Sequence, residues 1–304
     1  MKRSNALIVL SSLTGLLVFV YAALGLFVTG GQPSAFTTLR GLEVEIYGQG
    51  IYRLDTIFFA AGFRGTDMIT VFLAMPLMAL SIWLYARGSL RGGFLLVGSL
   101  IYCLYSALTM GTAAAYNPLF LLYTAAFTAS VFALGLAWSQ IDFAALPQRI
   151  LPNMPRSAAA FYLCFGGVAT ALLWLSDLLP PLMQSGSAPV LLGPYTTTIT
   201  YFIDLGIITP ACLLAFAWLR RGNPRGYVLG FSLLYLLALM GCIVIGQTIF
   251  QTNAGVVFST GQLIAMIGSW IVMGAFAIWL TLAFFRNLEE PPAKAKSLRP
   301  GLNQ

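Results

Sequence analysis

The sequence predicts an all-α transmembrane fold: an eight-helix bundle built as a four-plus-four duplication, with both halves in the same orientation and both termini cytoplasmic. Three observations predict it. The 304-residue chain is 59% apolar and 8% charged, with a mean hydropathy of +0.86. It contains eight apolar stretches each long enough to span a bilayer, and a set of residues that recurs at one fixed offset. A soluble domain carries about 25% charged residues, so the apolar surplus here has to face lipid. The chain has no histidine, which excludes imidazole-ligated haem, the common His-based zinc sites, and Ser-His or Cys-His catalytic pairs. Neither G-x-x-x-x-G-K nor G-x-G-x-x-G occurs, so no nucleotide loop is expected, and no cofactor is implied.

Read with a window of about 20 residues, the spans fall at 5–28, 67–86, 92–112, 117–138, 158–179, 199–219, 226–248 and 262–285. The first follows Lys2 and Arg3, but its apolar run from Ala6 to Val28 exceeds the roughly 7–15 residues of a signal-peptide core. It reads as an uncleaved first helix. The connection at 29–66 is the longest. Leu42, Val44 and Ile46 alternate there with Glu43, Glu45 and Tyr47, which suggests a short hairpin, and Tyr52 to Phe63 reads as an amphipathic surface helix. The matching loop from Pro180 to Thr198 has no charged residue.

Orientation follows from the basic residues. With the N-terminus inside, cytoplasmic segments collect 13 of the 16 Lys and Arg, leaving only Arg40, Arg53 and Arg64 outside, all in the first outer loop. The net charge of +7 then serves to anchor cytoplasmic turns beside anionic lipid, and no nucleic-acid partner is needed. The expected location is the cell membrane, with the lipid bilayer as the partner. Cys103, Cys164, Cys212 and Cys242 all fall inside spans without C-x-x-C spacing, so they read as small apolar residues and not as a metal or disulfide framework.

Pro76, Arg87, Gly88, Arg91 and Gly92 recur as Pro210, Arg221, Gly222, Arg225 and Gly226, each pair 134 positions apart. Residues 1–150 then form a first four-helix repeat that includes the outer loop, 151–286 a second, and 287–304 a disordered cytoplasmic tail. Four spans return the chain to its starting side, so a pseudo-twofold axis along the membrane normal should relate the halves. Pro76 and Pro210 each remove a helix hydrogen bond, to the carbonyls of Phe72 and Gly206, and two kinked helices are expected to face each other.

The stretches Phe63-Arg64-Gly65-Thr66-Asp67, Arg87-Gly88-Ser89-Leu90-Arg91-Gly92, Ala115-Tyr116-Asn117-Pro118-Leu119-Phe120, Trp174-Leu175-Ser176-Asp177 and Asp204-Leu205-Gly206 resemble a group of bacterial multispanning membrane proteins without an established activity. The resemblance covers most of the chain from about 50 to 250. It implies an eight-helix fold and carries no function across.

The informative residues are those costly to place in hydrocarbon, where a carboxylate at a span's centre costs ~2.5–3.5 kcal/mol. Asp67 opens helix two, Asp177 lies near the outer end of helix five, and Asp204 lies about one and a half turns into helix six. Asn117, Gln247 and Asn253 share their level. The sequence therefore predicts an outer polar layer over an apolar inner half, with a candidate ligand site of Asp67, Asp177, Asp204 and Asn117 and with Arg64 or Arg53 as counter-charges. Local pairing is the competing reading: Arg64 with Asp67 at (i, i+3), and Asp177 and Asp204 with hydroxyls such as those of Tyr195 and Thr200. Trp83, Trp138, Trp174, Trp218, Trp279, Tyr21 and Tyr201 lie near span ends and read as interfacial belts. Gly226 with Gly230, and Gly166 with Gly167, are packing signals within the bundle, and the oligomeric state stays open.

Three functions fit. The first is a transporter or binder of a small molecule, cation, zwitterion or lipid. The second is an intramembrane enzyme on a lipid-linked substrate, with Asp67 or Asp204 as base and Arg64 or Arg53 on phosphate. The third is an accessory subunit of a membrane complex.

Overall fold

A computed structural model describes residues 1–38, 40–184, 188–189 and 192–290. Among these, eight helices are long and apolar enough to cross a membrane. They are α1 (Asn5–Phe27), α2 (Ile57–Ala86), α3 (Leu90–Ala113), α4 (Phe120–Ser139), α5 (Arg156–Met183), α6 (Ile199–Arg220), α7 (Pro224–Asn253) and α8 (Ser269–Arg286). The hairpin is present as β1 (Ser34–Thr37) antiparallel to β2 (Glu43–Ile46), with Ser34 opposite Ile46 and Thr37 opposite Glu43. Of the expected tail at 287–304, residues 287–290 bond to Arg149, Leu151 and the start of α3, and 291–304 lie outside the described residues.

The start of the second span is a further correction. The expected surface helix over Tyr52–Phe63 does not exist as a separate element. After Thr56, whose side chain caps Phe59 N, one helix runs from Ile57 to Ala86, and Asp67 lies ten residues inside it. Arg64 and Asp67 break the apolar window without breaking the helix, because both find partners within the protein.

The expected proline kinks take a specific form. A π-helical turn at Thr70–Ala74 precedes Pro76, and another at Asp204–Ile208 precedes Pro210. The wider turn lets Met75 N reach Thr70 O and Thr209 N reach Asp204 O. These turns are themselves 134 residues apart, as are the Gly88 and Gly222 turns with φ of +83° and +66°, which end α2 and α6 at a conformation only glycine adopts cheaply. The N-caps Ser89 and Asn223, whose side chains accept from Gly92 N and Arg225 N, keep the same offset.

Helices α3 and α7 form the centre. Phe94 and Phe231 meet edge to face at 5.6 Å, and Ser99 Oγ donates to Tyr235 OH at 3.1 Å. Helix α2 crosses α7 where Gly65 meets the backbone of Gly246 and Gln247. Gly241 and Gly274 let α7 and α8 approach, and Gly167 packs on Thr209 and Cys212 between α5 and α6. Gly226 and Gly230 pack on Trp218 and Leu219 of α6, inside the bundle as expected. Leu13, Phe72, Leu121, Phe132, Phe165 and Phe276 point outward, which suits lipid.

The N-terminal residues, residues 287–290 and the arginine-rich turns gather at one end, called here the arginine end. Lys2 N donates to Gln140 O at 2.8 Å, Ser4 N to Tyr85 OH at 2.9 Å, and Glu289 N to Arg149 O at 2.8 Å. Arg87 stacks on Trp83 at 3.8 Å and Arg220 lies over Phe161 at 5.2 Å. Glu290 caps α3, accepting from Ser89 Oγ at 2.6 Å, Leu90 N at 2.7 Å and Arg91 N at 3.1 Å. A carboxylate on free N–H groups at a helix start is stabilising by about 1 kcal/mol. Glu290→Ala should therefore lower the thermal unfolding midpoint modestly, and an unchanged midpoint would assign the cap to Ser89 alone.

The hairpin end carries the other connections. At about 1.5 Å per residue, the 17 residues from Asp204 to Arg221, 20 from Asp67 to Arg87 and 21 from Arg156 to Asp177 place all three carboxylates about 25–32 Å from the arginine end. They share one level, near the far boundary of a hydrocarbon core about 30 Å thick.

Candidate functional site

At that level a cavity of about 510 Å³ opens between α2, α3, α5, α6 and α7, so elements of residues 1–150 and 151–286 both wall it. Phe58, Phe59, Phe63, Tyr105, Trp174 and Trp270 supply much of its surface, and Pro194–Thr198 closes one side. Thr66, Gln247 and Gln251 add polar groups. Gln247 Nε2 donates to Thr66 Oγ1 at 2.9 Å and Gln251 Nε2 to Phe58 O at 3.0 Å, so the α2–α7 seam is also the cavity floor. Asp204 is the one formally charged residue among the described lining residues.

Asp204 begins the π turn of α6. Trp174 Nε1 donates to its Oδ2 at 3.0 Å, and Tyr105 OH donates to its Oδ1 at 3.4 Å. Trp174 also stacks on Tyr201, with ring centroids 4.2 Å apart and planes 18° apart, and Tyr201 OH donates to Asp177 Oδ2 at 2.8 Å. Asp177 thus lies behind the cavity wall, tied to Asp204 through the stacked rings.

The expected single cluster of carboxylates is corrected at this point. Asp67 is 1% exposed and faces away from the cavity, toward Gly25 of α1. Tyr52 OH donates to its Oδ2 at 2.6 Å, and its Oδ1 has no hydrogen-bond partner among the described residues. Adjacent residues on α2 diverge: Thr66 faces α7, and Asp67 faces α1. Arg64 donates to Tyr47 OH at 2.6 Å and Leu26 O at 3.0 Å, and lies 5.6 Å from the Phe250 ring centroid; its predicted (i, i+3) pairing with Asp67 gives way to these partners. Arg53 is exposed on the loop before α2. Asn117 forms a local turn at the start of α4, accepting from Leu119 N at 3.0 Å and donating to Ala115 O at 3.1 Å. None of these four lines the cavity.

Three features escaped the sequence reading. Trp174 and Tyr201 are cavity groups, not belt residues. Tyr21 is likewise fully buried, bonded to Ser106 at 2.8 Å. Asp55, within the expected Tyr52–Phe63 surface helix and not singled out there, is 1% exposed and ties three connections at the hairpin end. Its Oδ1 accepts from Ala115 N at 2.8 Å and from Tyr195 OH at 2.9 Å. Tyr195 lies in the segment that closes the cavity and meets Phe59 edge to face at 4.8 Å. Arg40 Nη1 adds a bond to Gly193 O at 3.0 Å.

Burial pushes the Asp55 carboxyl up to about 6, against the lowering pull of the Ala115 N–H and the Tyr195 hydroxyl. The folded value lies above the unfolded value of about 3.9. The group therefore costs the fold nothing below about pH 4, and the cost grows to its full size as pH rises through about 6. Since Oδ2 has no hydrogen-bond partner among the described residues, a proton there leaves both bonds to Oδ1 intact. Backbone hydrogen exchange over residues 192–198, corrected for intrinsic rates, should be slower at pH 5 than at pH 7.5. Asp55→Asn should remove the difference, and equal protection at both pH values in the wild type would refute this reading.

No known family model matches the chain, and no characterised protein or solved structure matches it.

Proposed function

We propose that this multi-pass membrane protein binds and moves a small, positively charged ligand through the cavity between its two halves. The observation that carries the proposal is Asp204 as the lone charge among the described residues lining an aromatic cavity, about 25 Å along α6 from the arginine end. A cavity of this size is suited to a small ligand, with a few placed polar groups fixing its orientation. The basic residues at the opposite end support a cytoplasmic placement of both termini, which would open the cavity to the outside of the cell.

Transport is supported by the repeated plan. Helix, π turn, proline, glycine turn and capped helix recur at the offset of 134 residues, and both π turns lie at the level of the cavity. We read this as a parallel duplication whose halves rock about the shared α3–α7 seam, with the site at their interface. The π turns, a form frequent at functional positions, are the proposed points of flexure. An enzyme acting on lipid phosphate lacks comparable support, because Arg64 and Arg53 do not line the cavity.

The test is uptake into proteoliposomes of a radiolabelled panel of small amines, substituted ammonium and phosphonium ions, amino acids and uncharged analogues. At least one cationic member should accumulate with the wild-type protein and not with Asp204→Asn. If no member accumulates, or if the variant transports as well as the wild type, the proposal fails.

A further inference from the structure

The cavity discriminates between kinds of positive charge, and this step rests on reading it as a ligand site. We infer that its ligand is a bulky organic cation, an aryl- or alkyl-substituted onium ion, and not a zwitterion, an inorganic ion or a neutral lipid.

Several observations converge on this class. Asp204 is the only formal charge among the described lining residues, and neither Lys nor Arg is among them. A zwitterion's anionic half would therefore be desolvated without a partner, which is costly, and an anion would meet only the carboxylate. A bare metal ion is disfavoured for another reason. Calcium needs six to eight oxygen ligands and magnesium near-octahedral coordination, whereas no group of three or more acidic or thiol residues able to hold a metal occurs among the described residues.

The state of Asp204 itself fits an organic cation. A carboxylate offers about four lone-pair sites. One donor, the Trp174 indole N–H at 3.0 Å, engages Oδ2, and the Tyr105 hydroxyl at 3.4 Å engages Oδ1. These neutral donors hold the carboxylate in place without neutralising it, and they leave acceptor capacity on both oxygens. Around it, Phe58, Phe59, Phe63 and Trp270 present ring surface, which attracts a cation through the ring quadrupole and covers its apolar substituents. A weakly hydrated, charge-diffuse cation loses little water on entry and gains both interactions. A small, strongly hydrated ammonium loses more and fills less of the 510 Å³.

The test compares two ions of nearly equal size and shape but opposite sign. Equilibrium binding of radiolabelled tetraphenylphosphonium and tetraphenylborate is measured on the full-length protein in nanodiscs of uncharged lipid, with empty nanodiscs subtracted. The wild type should bind the phosphonium at least about tenfold more tightly than the borate. Asp204→Asn should weaken phosphonium binding about tenfold or more and reduce the preference for the cation, while Arg53→Gln in the exposed loop should change neither. Equal affinity for the two ions, or unchanged phosphonium binding in Asp204→Asn, overturns the inference; the wild-type comparison decides even if the variant fails to fold. Failure of phosphonium binding alongside Asp204-dependent uptake of a small amine overturns the ligand class and leaves the ligand site standing. Failure of both overturns the two together.

Discussion

Gly65→Val is expected to be the most damaging single substitution in the bundle. A β-carbon at this position would sit 2.5 Å from Gln247 N and Cα and from the Gly246 carbonyl oxygen. All three are backbone atoms of α7, so no side-chain rotation relieves the clash and the helices themselves have to separate. Between membrane helices, close packing replaces the hydrophobic force that drives association in water, and overpacking costs about 1–3 kcal/mol where side chains can adjust. Backbone against backbone should reach or exceed the top of that range. Separating α2 from α7 also pulls Thr66 from Gln247 and so opens the cavity floor. The check is the yield of monodisperse protein and its unfolding midpoint, with Gly135→Ala as control, since a β-carbon at Gly135 meets nothing within 4 Å. Equal behaviour of the two variants would contradict the described crossing.

Tyr52→Phe is expected to have the second largest effect, through the group it abandons. Among the described residues, the Tyr52 hydroxyl is the one hydrogen-bond donor to the Asp67 side chain, which lies 1% exposed beside Gly25. Removing the donor leaves a buried acceptor unsatisfied, which costs about 1–3 kcal/mol. Asp67→Asn, which buries a neutral amide of the same shape, should cost less. In the double variant the losses should be less than additive, because both substitutions act on the same hydrogen bond. Strict additivity would show that Tyr52 acts through its ring, which packs on Phe63 with centroids 5.4 Å apart, and not through its hydroxyl.

The helices were largely legible because each needs about 20 apolar residues, and this chain spells that length eight times. The start of α2 was not, since a hydropathy window penalises Arg64 and Asp67 without seeing that Tyr47, Leu26 and Tyr52 receive them. The level of the carboxylates was readable from their distance to the arginine turns, but the faces they occupy were not. Thr66 and Asp67 are neighbours in sequence and point to different helices. Trp174 illustrates the same limit: its place near a span end suits a belt residue, and only its stacking on Tyr201 and its bond to Asp204 put it in the cavity. Asp55 meets Tyr195 across 140 positions, a pairing that no local pattern encodes.

The side of the membrane from which water reaches Asp204 decides the proposed orientation. Side-resolved cysteine labelling tests this directly, in a background where Cys103, Cys164, Cys212 and Cys242 are replaced by alanine. Thr200→Cys lines the cavity, and Ser139→Cys is exposed at the arginine end. In intact cells an impermeant maleimide should modify Thr200→Cys and spare Ser139→Cys until the membrane is permeabilised. Labelling of Ser139→Cys in intact cells, with Thr200→Cys protected, would place the cavity on the cytoplasmic side and contradict the proposed orientation.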